Sequence, residues 1–176
     1  MVKSIEGKIR NAVYIFFIGI NCCPNKIIVI ANPLAENCFT DFNPYFPRQP
    51  RLLFIGTKGN KNLENVIPSL YRLNIHLRII GELTNKQLLL LRKFEINYSN
   101  DFNLTDNQLS SEYHNADIIL FPSLYEGFGF PLIEAFANNC AVACSNTSSF
   151  IEVAGDAAVL FNPLVIDEIT FAIDKI

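Results

Sequence analysis

Two glutamates, Glu126 and Glu134, flank seven residues that include Gly127, Phe128, Gly129, Phe130 and Pro131. Glycines let a backbone approach a ligand closely. Pro131 suits the first helical position, where its missing N–H is no loss, and a helix start offers unpaired N–H groups with partial positive charge. Phosphate or other anionic oxygens fit such a loop. The carboxylates would repel phosphate, so they read as acceptors for neutral hydroxyls. A ligand that joins phosphate to many hydroxyls is a sugar nucleotide. The plainer reading is a tight loop whose glycines only make the turn, with two solvated glutamates beside it. Lys61 adds a cation. It follows an apolar run and stands where a helix begins, so its ammonium can reach a phosphate; an isolated lysine is otherwise a solvated surface residue.

These groups need elements to position them. Ile118 to Phe121 is an apolar run of the length of a buried strand, and Pro122 stops it. Residues 52–55 read as another buried strand, followed by Gly-Thr-Lys-Gly-Asn-Lys-Asn ending at Asn62. Asn62 can cap a helix running to about residue 73, with Leu63, Val66, Ile67 and Leu70 on one face. A strand over 75–80 ends at Gly81, and a helix over about 85–94 turns Leu88, Leu89, Leu91 and Phe94 toward a core. Residues 96–98 are a short strand candidate, and Thr105 with Asp106 starts a helix that ends near Asn115. Past the glutamates come a strand over 141–144, a short helix capped by Ser148 or Ser149 and ended by Gly155, a strand over 157–161, and a helix over about 166–175.

Alternating strands and helices imply parallel strands joined by right-handed crossovers. The fold class is therefore α/β, a single Rossmann-like doubly wound unit over residues 51–176. Ligands of such sheets lie beyond the carboxyl ends of the strands. Loops 56–61, 122–130 and 145–149, with Gly81, all follow strands and converge on that edge, so Lys61 faces the glutamates from another strand.

The stretch from Asp117 to Glu134, Asp-Ile-Ile-Leu-Phe-Pro-Ser-Leu-Tyr-Glu-Gly-Phe-Gly-Phe-Pro-Leu-Ile-Glu, closely resembles the E-x7-E signature of retaining glycosyltransferases of the GT-B fold, in family 4 (glycosyl transferases group 1). The likeness continues through Ser-Asn-Thr-Ser-Ser-Phe-Ile-Glu-Val-Ala-Gly-Asp, ending at Asp156, and runs more weakly from about Lys26 to the C-terminus. The resemblance implies that Glu126 contacts the transferred sugar and Glu134 holds the ribose hydroxyls. It implies that Lys61 binds the donor diphosphate, and that backbone N–H groups of Gly127, Phe128, Gly129 and Phe130 meet diphosphate or sugar oxygens. One departure stands out: the family's arginine a few residues before the lysine is absent, and Thr57 or Lys58 stands nearest. Lys58 can replace its charge but not its planar fork. The nucleotide-diphosphate sugar enters as donor substrate, and no cofactor or metal is implied.

Residues 1–50 read as an N-terminal segment and interdomain-type linker, with an apolar run at 13–20, a strand at 26–30, and Pro33, Pro44, Pro47 and Pro50. They are too short for a second α/β unit. The resemblance therefore implies the C-terminal, donor-binding half of a two-domain enzyme, inactive alone. A separate N-terminal-domain chain is then a candidate partner, and any peripheral membrane contact falls to that other half. Two alternatives stay open: a sugar-nucleotide-binding module without turnover, and an inactive truncated remnant.

Composition narrows the classes. Half of the 176 residues are hydrophobic and 18% are charged, which suits an ordered globular domain. A net charge of −3 without a basic patch argues against nucleic acid as a partner. The nine-residue apolar run at 12–20 is too short to span a bilayer. Cys22, Cys23, Cys38, Cys140 and Cys144 form no paired metal-ligand array, and the histidines are His76 and His114. An odd count of cysteines reads as reduced thiols in the cytoplasm. His114 reads as structural, Glu152 as an anchor for a helix start or loop, and Tyr125 and Phe128 as either ligand-stacking or core aromatics.

Overall fold

The computed structural model describes residues 49–127 and 129–176. The expectations for the 13–20 run, the 26–30 strand, the proline-rich linker before residue 49, Cys22, Cys23, Cys38 and Phe128 lie outside the described residues.

Six strands form one sheet: β1 (Arg51–Ile55), β2 (His76–Ile80), β3 (Tyr98–Asp101), β4 (Ile118–Phe121), β5 (Ala141–Ser145) and β6 (Val159–Phe161). Their order is β3-β2-β1-β4-β5-β6, and every pairing is parallel. The helices are α1 (Leu63–Ser69), α2 (Asn85–Lys93), α3 (Asp106–His114), α4 (Phe130–Ala137), α5 (Ser148–Ala154) and α6 (Ile166–Asp174). The winding reverses between β1 and β4, and this is the sheet's switch point.

Side chains alternate across the sheet with the two-residue period of a strand. Leu52, Phe54, Leu77, Ile79, Ile118 and Leu120 pack on one face against Leu63, Val66 and Ile67 of α1, Leu91 of α2, and Ile169 and Ile173 of α6. Leu53, Ile119, Phe121, Val142 and Cys144 pack on the other against Tyr113 of α3, Leu132 and Ala135 of α4, and Phe150 of α5. Both faces are covered, so β4 reads as an unbroken apolar run whose four residues are all buried. Each large aliphatic or aromatic chain so buried contributes about 1.5–3 kcal/mol.

One polar cluster fixes α3 to the sheet. Arg78 of β2 donates to both oxygens of Glu112, from Nε at 3.1 Å and Nη2 at 2.5 Å, and Arg51 Nη2 donates to the same carboxylate. Burial pushes the Glu112 carboxyl up, but hydrogen bonds from Arg78 and Arg51 and the charges of both outweigh it, and the group lies below the ordinary carboxylate value. Arg51 N–H also donates to Asp117 Oδ2 at 2.7 Å, which fixes the entry to β4 beside β1.

Several local expectations shift. Asn62 precedes α1 but does not cap it: it is left-handed, with φ 61°, and its amide donates to the Pro163 carbonyl at 2.6 Å. Helix α1 ends at Ser69, sooner than the apolar spacing implied, one residue after Pro68. Leu89 faces solvent at 65% exposure while Gln87 is buried. Gln87 earns that place by satisfying its amide with the Thr84 N–H, the Thr57 carbonyl and Glu64. Thr147, not Ser148 or Ser149, is the N-cap residue of α5. Strand β3 begins at the last residue of the expected segment and continues through polar residues, because pairing with β2 from Leu77↔Tyr98 to Ile80↔Asp101 sets its register.

Candidate functional site

The carboxyl edge of the sheet is laced together by its own loops. Gly56 N–H donates to the Ile80 carbonyl at 2.7 Å, and Gly81 N–H to that of Asp101 at 2.8 Å. After β1 the chain makes a 3-10 turn, Gly59–Lys61, whose Asn60 carbonyl accepts from Leu124 N–H at 2.8 Å. That bond ties the β1–α1 loop to the β4–α4 loop across the switch point.

Lys61 and Glu126 meet there. The Lys61 ammonium lies 2.5 Å from Glu126 Oε1, with the two side chains 23% and 16% exposed. Gly56 makes the reach possible. A Cβ on Gly56 would stand 3.1 Å from Lys61 Cγ and 3.2 Å from Cε, and its φ of +89° disfavours any side chain. Glu126 is held twice more: the buried Ser123 hydroxyl donates to Oε1 at 2.6 Å, and Ser149 Oγ donates to its backbone carbonyl at 3.3 Å.

Glu134 lies on α4, at the fifth residue of the helix. Its Oε2 accepts from the Tyr113 hydroxyl at 2.8 Å. Gly129 precedes the helix with φ +87° and lies against Phe150, whose ring would be 3.0 Å from an added Cβ. Phe130 opens α4 and Pro131 is its second residue, one place later than expected. The helix start offers fewer donors than its sequence suggested: Pro131 has no N–H, and that of Leu132 is held by the Gly129 carbonyl at 2.9 Å.

The remaining candidates divide. Lys58 is exposed just before the 3-10 turn. Thr57, the other residue near the absent arginine, is tied away by donating to the Glu82 carbonyl at 2.6 Å. Gly127 is exposed and Gly129 buried in the same loop, with Phe130 at 38% exposure. Tyr125 is 70% exposed, which sets aside the core reading for it. His114 is exposed at the end of α3. Sequence reasoning missed Ser123 and Tyr113, since neither lies on a motif position that carries charge. It also missed the Thr147 hydroxyl, which is buried at this edge without a hydrogen-bond partner among the described residues. Among those residues, no three His, Cys, Asp or Glu side chains stand together as metal ligands, and no helix is long and apolar enough to cross a membrane.

A doubly wound parallel domain with these groups at its switch point has the form of the Rossmann-like domains of GT-B glycosyltransferases. The sequence profile of the family described as "Glycosyl transferases group 1" matches residues 42–176, and the chain belongs to that family. Over 65 residues it is 42% identical to O-antigen chain mannosyltransferase B of Escherichia coli, a match covering 37% of this chain and 17% of that protein. A glycosyltransferase from Rickettsia africae ESF-5 superposes with a TM-score of 0.78 at 18% identity, over 95% of this chain and 51% of that one. Anabaena Alr3699/HepE, solved in complex with UDP and glucose, superposes with a TM-score of 0.64 at 14% identity, over 71% of this chain and 37% of that one. These two likenesses are of fold. The chain thus spans a fraction of the first relative and about half of the Rickettsia protein.

Proposed function

We propose that this domain binds a nucleotide-diphosphate sugar as the donor for a retaining glycosyl transfer, and that a second domain completes the site and brings the acceptor. The observation that carries the reading is the meeting of Lys61 and Glu126, from loops after β1 and β4, at the switch point of the sheet. A cation suited to a diphosphate and a carboxylate suited to sugar hydroxyls stand in contact where such folds bind nucleotides. The relatives matched in sequence include mannosyltransferases, so a hexosyl, in the first instance mannosyl, donor is the one to test first.

In this reading the Lys61 ammonium leaves Glu126 for the donor diphosphate. Glu126 then accepts from the sugar hydroxyls, and Glu134 from those of the ribose. As the bond from the sugar to the diphosphate breaks, charge builds on the departing phosphate oxygen. Lys61, the exposed Lys58 and backbone N–H groups around Gly127, Phe128, Gly129 and Phe130 stabilise it, and fixed donors do so without reorganising. The acceptor hydroxyl bonds to the same face of the sugar and gives its proton to that phosphate oxygen. The paired-carboxylate chemistry of retaining glycosidases is not required. No cofactor takes part. The free thiols of Cys140 and Cys144 fit a reducing, cytoplasmic setting.

A second reading is a binding module without turnover: the arginine usual in the family is absent, and Thr57, which donates to the Glu82 carbonyl, supplies no charge in its place. Calorimetry of the chain with UDP-, GDP- and ADP-sugars tests both readings. Binding of one of them is expected. A folded chain that binds none overturns both, and donor hydrolysis or transfer by the chain overturns the module.

A further inference from the structure

We infer that Tyr113, a residue outside the glutamate motif, positions Glu134 to read the ribose hydroxyls of the nucleotide. The inference rests on the sugar-nucleotide reading above. Tyr113 is 4% exposed and packs in the core between α3, α4 and the sheet. Its hydroxyl reaches Glu134 Oε2 at 2.8 Å, while no described residue donates to Oε1.

The two carboxylates are held in different ways. Glu126 receives both Lys61 and Ser123 on one oxygen, so its first partner is a cation that a phosphate can draw away. Glu134 is held by a phenol hydroxyl, which carries no charge for a phosphate to draw away. A carboxylate anchored at one oxygen by a rigid donor presents the other at a fixed place. Charge-assisted hydrogen bonds to ligand hydroxyls are strong when the acceptor is so placed, and the rotamer freedom of the glutamate is lost before the ligand arrives rather than on binding.

The anchor itself is rigid. Tyr113 follows Glu112, whose carboxylate is clasped by Arg78 and Arg51, and Cys140 Sγ donates to the Tyr113 carbonyl at 3.3 Å. The ring therefore has its backbone fixed from β1, β2 and the start of β5. A buried tyrosine hydroxyl needs some partner. That this partner is the second glutamate of the motif gives the bond a use beyond packing.

The test uses the full 176-residue chain. UDP, GDP and ADP are titrated by calorimetry, and the tightest is compared with its 2′,3′-dideoxy counterpart in wild type, Tyr113→Phe, Glu134→Ala and the double variant. Wild type is expected to prefer the ribonucleotide. Tyr113→Phe is expected to weaken that ligand about tenfold and to leave the dideoxy ligand unchanged. In the Glu134→Ala background the phenylalanine is expected to cost nothing further, since the two residues act as one. Equal losses on both ligands, no loss on either, or a loss that persists without Glu134 overturns the inference, as does a Tyr113→Phe chain whose circular dichroism shows it unfolded. A wild type that binds nucleotide without preferring ribose overturns the inference and leaves the donor-site reading standing. A wild type that binds none of the three nucleotides removes that reading, and the inference with it.

Discussion

The Lys61 ammonium lies 2.5 Å from the Glu126 carboxylate, and under the proposed function an incoming diphosphate competes with that carboxylate for it. Removing either partner therefore has opposite effects. Lys61→Met takes away the cation and leaves the part-buried Glu126 with only Ser123 as its side-chain partner, and titration with GDP or UDP is expected to show a loss of at least about 2 kcal/mol in binding. Glu126→Gln keeps the hydrogen bond from Ser123 and releases the lysine, so the same titration is expected to show binding as tight as wild type or tighter, while transfer from a donor sugar falls. Equal losses in both variants would show that the pair only holds the loop. That Lys61 and Glu126 come together was legible, because loops after parallel strands converge on the carboxyl edge of the sheet. Ser123 and Tyr113 were not. A serine after proline and a tyrosine on a helix are common in folded chains; the turn of the β4–α4 loop shows where the serine hydroxyl ends, and the packing of α3 beside α4 where the tyrosine's does.

Helix α4 begins where it does because Gly129 takes a left-handed conformation and lets the chain turn against Phe150. Alanine there meets both a strained φ and a ring 3.0 Å away. Gly129→Ala is expected to cost about 1–2 kcal/mol from the backbone alone, read as a lower midpoint in thermal unfolding. It also moves Phe150, which packs on Phe121 with ring centres 6.0 Å apart, so the end of β4 shifts with the loop. Element by element, the buried strands were the most legible because residues covered on both faces must be apolar throughout. The edge strand β3 was the least. Ile96 packs against the core two residues before the strand begins, Tyr98 both packs and pairs, and polar Ser99, Asn100 and Asp101 go on pairing with β2, so the apolar signal and the pairing share a single residue. Asn62 misled for a related reason. Its side chain serves a carbonyl 101 residues away, and no local rule for helix caps sees that far.

One ion cluster joins α3 to the first two strands and links the stability of the whole domain to pH. The Glu112 carboxyl is lower in the folded chain than in the unfolded one. Its contribution to stability is then complete above the ordinary carboxylate range and lost as pH falls through the folded value. Urea midpoints measured from pH 7 downward are expected to show wild type well above Glu112→Gln at neutral pH, with the gap closing below about 4.5. A gap that stays constant to low pH would mean the charge on Glu112 contributes nothing. The doubly wound architecture was legible from the alternation of elements, but the place of the break in winding was not, because strand order depends on which strands pair. That break has a consequence for the integrity of the molecule. Strands β1 to β3 lie on one side of it and β4 to β6 on the other, and the covalent passage between them after β3 runs through the exposed Phe102 and the left-handed Asn103. Lys61 belongs to the first half and both glutamates to the second. A protease that nicks the chain near Asn103 would leave two pieces still clasped through the β1–β4 seam. Neither piece alone carries both Lys61 and the glutamates, so under the proposed function nucleotide binding would last only as long as the two halves stay clasped.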